Sequence, residues 1–172
     1  NLPILTLNAF AFSSKGAELF PGSGIIPDKL IVGDGILVAF DELGLGDVAP
    51  QALVAHEMGH HVQFELGMAP GGTAAGNRRV ELHADASAAY VLAHPRGMSM
   101  QWKRVQRFES VYADLGDCFV DSPLHHGTAA QRARAAQWGY LLEEGMHPAS
   151  RVLGASGFAS LFEGALPAIL AG

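Results

Sequence analysis

The chain has a single cysteine, Cys118, so no intrachain disulfide can form and a disulfide scaffold is excluded. It also lacks basic character. Lys and Arg number 11 against 17 Asp and Glu, a formal net charge of −6. Apart from Arg78-Arg79 and Lys103-Arg104 the cations are scattered, which argues against nucleic acid as a partner. No run of about 20 uninterrupted apolar residues is present. The nearest, Val152 to Ala171, contains Glu163, Pro167 and several glycines and reads as a core-packing helix. Charged residues are only 16% and hydrophobic ones 49%, so neither a disordered tail nor a coiled coil is expected. What remains is one compact domain over residues 1–172. The first residue is Asn1 and not Met, which suggests a processed or trimmed chain whose leader or anchor would already be gone.

Ile4 to Phe12 reads as a strand, rich in β-branched and aromatic residues. A Gly/Pro-rich loop follows, then a short strand at Leu30 to Val32 and a turn at Gly33-Asp34-Gly35. Ile36 to Phe40 fits either a third strand or a helix start. Helical patterns then run from about Ala49 to Leu66, Asn77 to Ala93, Ser99 to Leu115, Thr128 to Glu144 and Ser156 to Leu170. Pro50 suits the first turn of the first and Gly67 its end. Asn77 and Thr128 are expected N-caps, and Pro95 ends the second helix. Strands first and helices after predict an α+β fold.

The chemistry concentrates in His56-Glu57-Met58-Gly59-His60. Histidines at i and i+4 share a helix face, so both imidazoles can reach one ion. Zinc suits nitrogen and oxygen ligands in a tetrahedral site. Glu57, directly after the first histidine, projects beside the metal and can take a proton from water there. Gly59 permits close packing. His61 lies about 100° around the helix from His60 and should not share the ion. The next helix offers Glu81 and Asp85 on one face, with Ala84, Ala88 and Val91 opposite. Glu81 is expected as the third metal ligand. Asp85 is expected to accept the free imidazole N–H of a ligand histidine. His83 is the rival ligand, but it points about 200° away from Glu81.

These residues carry a resemblance. Glu81-Leu82-His83-Ala84-Asp85 after an H-E-x-x-H helix is similar to the gluzincin pattern E-L-x-A-D. His56 to Gln63 resembles the H-E-x-G-H-H-V-Q of the bacterial neutral zinc metallopeptidases. His126-Gly127-Thr128 with Gln131-Arg132 and Gly139-Tyr140 resembles a further block of that family. Asn8-Ala9-Phe10 resembles a strand of the related CAAX-protease and heat-shock membrane protease group. The similarity covers about residues 8 to 140. It departs after Asp85, where Ala86 and Ser87 stand and the family usually has a cysteine, and between Pro95 and His125, where nothing aligns.

The resemblance implies a zincin-like fold, with a small N-terminal β-sheet followed by a mainly helical region. It implies a zinc metallopeptidase acting on a peptide or protein substrate, with one catalytic Zn²⁺ on His56, His60 and Glu81 and with Glu57 as general base. Asn8, Ala9 and Phe10 would form the cleft rim, where an extended peptide pairs by backbone hydrogen bonds. His126, or alternatively His125, would donate to the oxyanion. Arg132 would pair with a carboxylate that positions the site, or touch substrate directly. A location outside the bacterial cytoplasm is favoured over one inside it. The alternative function is a zincin-fold metal-binding or interaction module with weak or no activity. A purely structural zinc would favour a closed, cysteine-rich ligand set, which one Cys does not supply. The segments expected to shape specificity are 13–29, 67–77 and 95–125.

Overall fold

A computed structural model describes residues 6–13, 27–69, 71–114, 126–145 and 151–171. The fold is α+β and mostly helical, with one small antiparallel sheet. Strand β1 (Ala9–Phe12) pairs with β2 (Lys29–Val32), Ala9 opposite Val32 and Phe12 opposite Lys29. Helices follow in the order α1 (Asp34–Glu42), α2 (Ala49–Leu66), α3 (Ala74–Ala93), α4 (Trp102–Asp114), α5 (Ala129–Glu144) and α6 (Ala155–Ala171).

Several boundaries differ from those expected. The first strand does not extend back through the described part of Ile4 to Phe12, since Thr6 and Leu7 are outside it and Asn8 begins the pairing. Asn8 turns its own side chain onto the Ala9 N–H, a local bond of the kind that competes with a ladder. Ile36 to Phe40 is helical, and only Phe40 of α1 is buried. The third helix starts at Ala74 because the Thr73 hydroxyl accepts the Gly76 N–H, so Thr73 and not Asn77 is the N-cap. Helix α4 begins at Trp102, after Ser99 has taken a positive φ of 50°. The expected end at Leu115 lies outside the described residues. Helix α2 has the expected limits, with Pro50 in its first turn and Gly67 at φ 69° closing it. Thr128 caps α5 in a reciprocal box with Gln131.

Helix α3 is the centre of the molecule. It packs against α2 on one side and α5 on another, and also touches α4 and α6. Its alanines let the neighbours come close. A Cβ on Gly59 of α2 would sit 2.6 Å from Ser87 Oγ and 3.1 Å from Ala84 Cα. Gly139 of α5 lies directly on the Ala86 carbonyl. Tyr140 beside it accepts the Trp102 N–H with its hydroxyl, 3.0 Å, at the start of α4.

One apolar cluster joins α1, α2, α3, α4 and α5 through Phe40, Leu53, Leu92, Val105 and Tyr140. A second joins α3, α5 and α6 through Leu82, Phe158 and Phe162. Each such fully buried side chain contributes roughly 1.5–3 kcal/mol. Helix α6 is a packing helix as expected, anchored by Phe158, Phe162 and Ile169. No helix among the described residues is long and apolar enough to cross a membrane. Of the α3 face expected to be apolar, Ala84 and Ala88 are buried, whereas Val91 is half exposed.

Candidate metal centre

His56 and His60 lie one turn apart on α2, and Glu81 faces them from α3. The Nε2 atoms of the two histidines are 3.1 Å apart. Glu81 Oε2 is 3.4 Å from His56 Nε2, and Oε1 is 3.6 Å from His60 Nε2. Three donor atoms therefore converge on one point. Zinc bonds of 2.0–2.1 Å at tetrahedral angles would space the two nitrogens by about 3.3 Å, so the donor set fits. His56 and Glu57 are buried, and Glu81 and His60 are partly so.

Electrostatics point the same way. Burial works against charge on His56, yet hydrogen bonds and charges from Asp85 and Glu81 lift its pKa to about 10. Burial likewise opposes charge on Glu81, and His56 and His60 more than offset it, holding the carboxyl far below its usual range. The cluster thus stabilises positive charge at this point, whether a proton or a metal cation carries it.

Behind the cluster, Asp85 Oδ1 is 2.9 Å from His56 Nδ1, as expected for a carboxylate that orients a ligand histidine. Arg132 from α5 grips the same carboxylate with two bonds, Nε to Oδ2 at 2.8 Å and Nη2 to Oδ1 at 2.7 Å. Burial alone would raise the Asp85 pKa, but Arg132 and then His56 hold it low.

In front lies a cleft of about 550 Å³. His56, Glu57, His60 and Glu81 form its floor, and Asn8, Ala9, Phe10, His126 and Arg132 also line it. The described residues expected to form the site are thus gathered at one place, Asp85 from behind. His125 lies outside the described residues. None of the described residues of 13–29, 67–77 and 95–125 is among those lining the cleft. Its apolar walls are Leu7, Ile36, Leu53 and Phe64, from around β1, α1 and α2.

Strand β1 turns an edge to this space. Gly33 N–H donates to Asn8 O at 2.8 Å, so antiparallel alternation points the N–H and C=O of Ala9 and Ala11 away from β2. Ala9 N–H already donates to Asn8 Oδ1, 3.0 Å.

Compared with protein-family models, with curated proteins and with solved structures, the chain finds no match. Two groups among the described residues have metal-ligand spacing. The second, Asp28, His61 and Glu65, is more exposed, and its His61 Nδ1 lies 3.6 Å from Asp28 Oδ2. His61 therefore stays apart from His60's site, as expected. His83 does too. It is 1% exposed and meets Phe158 and Phe162 edge to face.

The residue to which sequence reasoning gave no role is Gln63, 2% exposed, whose Oε1 lies 3.0 Å from His60 Nδ1. Its signals were its i+3 spacing from His60 and its place at the end of the H-E-x-G-H-H-V-Q-like run.

Burial first, and then Arg79 and His60, push the His83 pKa down to about 4 from 6.5. The unfolded chain takes up this proton at a higher pH than the folded one. Stability should therefore fall as pH drops from about 6.5 to about 4, by up to about 3 kcal/mol. The raised His56 contributes fully below about 6.5, whereas the lowered Glu81 and Asp85 begin to lose their contribution as pH falls into the unfolded carboxylate range, so in metal-free protein the slope between about 6.5 and 5 belongs to His83. Urea unfolding at a series of pH values should show this slope, and His83→Leu should flatten it. An unchanged slope in that variant would refute the assignment.

Proposed function

We propose that this chain is a zinc-dependent metallopeptidase of gluzincin type with a zincin-like fold. The observation that carries the reading is the convergence of His56 Nε2, His60 Nε2 and a Glu81 carboxylate within 3.1–3.6 Å at the floor of a cleft that Glu57 also lines. His56, His60 and Glu81 would hold the ion at the cleft that all three line. Bound there, zinc supplies Lewis acidity that acidifies water and polarises a carbonyl.

The chain's own groups do the rest. Glu57 stands outside the ligand group and takes the proton of the attacking water, then passes it to the leaving amine. His126, exposed on the cleft wall, donates to the oxyanion. An extended peptide lies along β1, using the Ala9 carbonyl and both backbone groups of Ala11. It reaches the Ala9 N–H only by displacing the Asn8 side chain. Arg132, whose Nε and Nη2 both hold Asp85, orients that carboxylate behind His56.

Metal removal tests the reading. Purified protein should carry one zinc per chain and cleave a generic casein or peptide substrate. A chelator should remove both metal and cleavage, and one equivalent of zinc should restore both. One bound zinc with no cleavage of any peptide in a broad library would instead favour the binding module.

A further inference from the structure

The two histidines of the metal centre are held from behind by different chemistry. A carboxylate faces His56 Nδ1, whereas an amide, that of Gln63, faces His60 Nδ1 at 3.0 Å. Gln63 lies on the same helix, almost wholly buried, where a polar side chain is costly unless its bonds are made.

An amide can be turned either way, and here a backbone carbonyl decides. Gln63 Nε2 is 2.6 Å from Val80 O. A carbonyl only accepts, so the NH₂ end must face it. Oε1 is thereby turned to His60. It too only accepts, so His60 Nδ1 carries that ring's proton, and the lone pair falls on Nε2, the atom facing His56 Nε2 and Glu81. The amide's second hydrogen points at His83 Nδ1, 3.1 Å away. His83 must accept there, which puts its proton on Nε2. That atom is buried with no hydrogen-bond partner among the described residues, in a ring packed at a near-right angle to those of Phe158 and Phe162.

We infer that Gln63, locked by Val80 O and by neutral His83, is the positioning residue that sets the tautomer and ring orientation of His60 for metal binding. His83, inside the E-L-x-A-D-like run, is then the lock on that amide and not a ligand. The inference rests on the metal-centre reading above.

Two measurements test it. In metal-free protein at mildly alkaline pH, nitrogen-15-resolved imidazole spectra should show His60 as the Nδ1–H tautomer and His83 as the Nε2–H tautomer. Gln63→Met should leave His60 exchanging between tautomers and weaken zinc binding about 10–100-fold in competition with a chelator. His83→Leu, which leaves Val80 O to hold the amide, should weaken zinc less. The opposite tautomer at either histidine of the wild-type protein would overturn the inference, even were the Gln63 variant not to fold. So would a folded Gln63→Met that binds zinc as tightly as wild type. A wild-type protein that takes up no zinc would overturn the metal-centre reading and this one together, whereas tight zinc binding by both proteins ends only this one.

Discussion

Glu57→Gln is expected to lower peptide hydrolysis by about 10²–10⁴-fold, the range that a positioned general base contributes, while the protein still binds one zinc. The two side chains have nearly the same shape, so the buried packing at this position is kept. What changes is proton affinity. A carboxylate accepts a proton from water at neutral pH, and an amide oxygen does not. Glu57 is not among the three residues whose donor atoms converge, so zinc uptake should survive the substitution. The contrast is Glu81→Gln, which removes the negative ligand between His56 and His60 and should weaken metal binding itself. Zinc content and initial rates measured on the same preparations separate the two. Wild-type rates from Glu57→Gln would show that the base lies elsewhere. Loss of zinc from it would show that Glu57 is a ligand.

The site was legible in the sequence wherever the spacing carried the geometry. His56 and His60 at i and i+4, and Glu81 and Asp85 at i and i+4, need only two packed helices to meet, and Gly59 against Ala84 and Ser87 lets those helices approach. The ends of α2 were readable because Pro50 and Gly67 act locally. Other features depend on partners distant in sequence and left little trace. Ile36 to Phe40 is too short for a helical period to be told from a strand. Thr73 was hidden as a cap because Gly71, Gly72 and Gly76 make its surroundings look like loop. Gln63 carries no readable role in the sequence, because the Val80 carbonyl and His83 that hold it lie 17 and 20 residues further on. The proposal of a zincin-like fold and of peptidase activity rests on the motif blocks and on the fit of the site, since the described sheet has only two strands.

The second large effect is expected from Arg132→Met. Arg132 and Asp85 have side chains 4% and 3% exposed and share two short hydrogen bonds. Taking the guanidinium away leaves a carboxylate in the core with only His56 beside it. Breaking a buried pair in this way typically costs about 3–5 kcal/mol. At about 2–4 °C per kcal/mol for a chain of this size, the melting temperature should drop by roughly 10 °C. The metal-free protein is the right sample, because bound zinc would add its own stabilisation. Asp85→Asn should also destabilise, since it removes the charge that Arg132 and His56 both face. The double variant should cost less than the two single variants summed, because neither leaves an unpaired charge in the presence of the other. Strict additivity would mean that the pair is not coupled. A consequence for the site follows from the same bonds. Without Arg132, burial is free to raise the Asp85 pKa, and a protonated Asp85 no longer holds the Nδ1 proton of His56. Zinc affinity in Arg132→Met should therefore fall alongside stability, and fall further as pH is lowered, because ligand histidines must be deprotonated to bind metal.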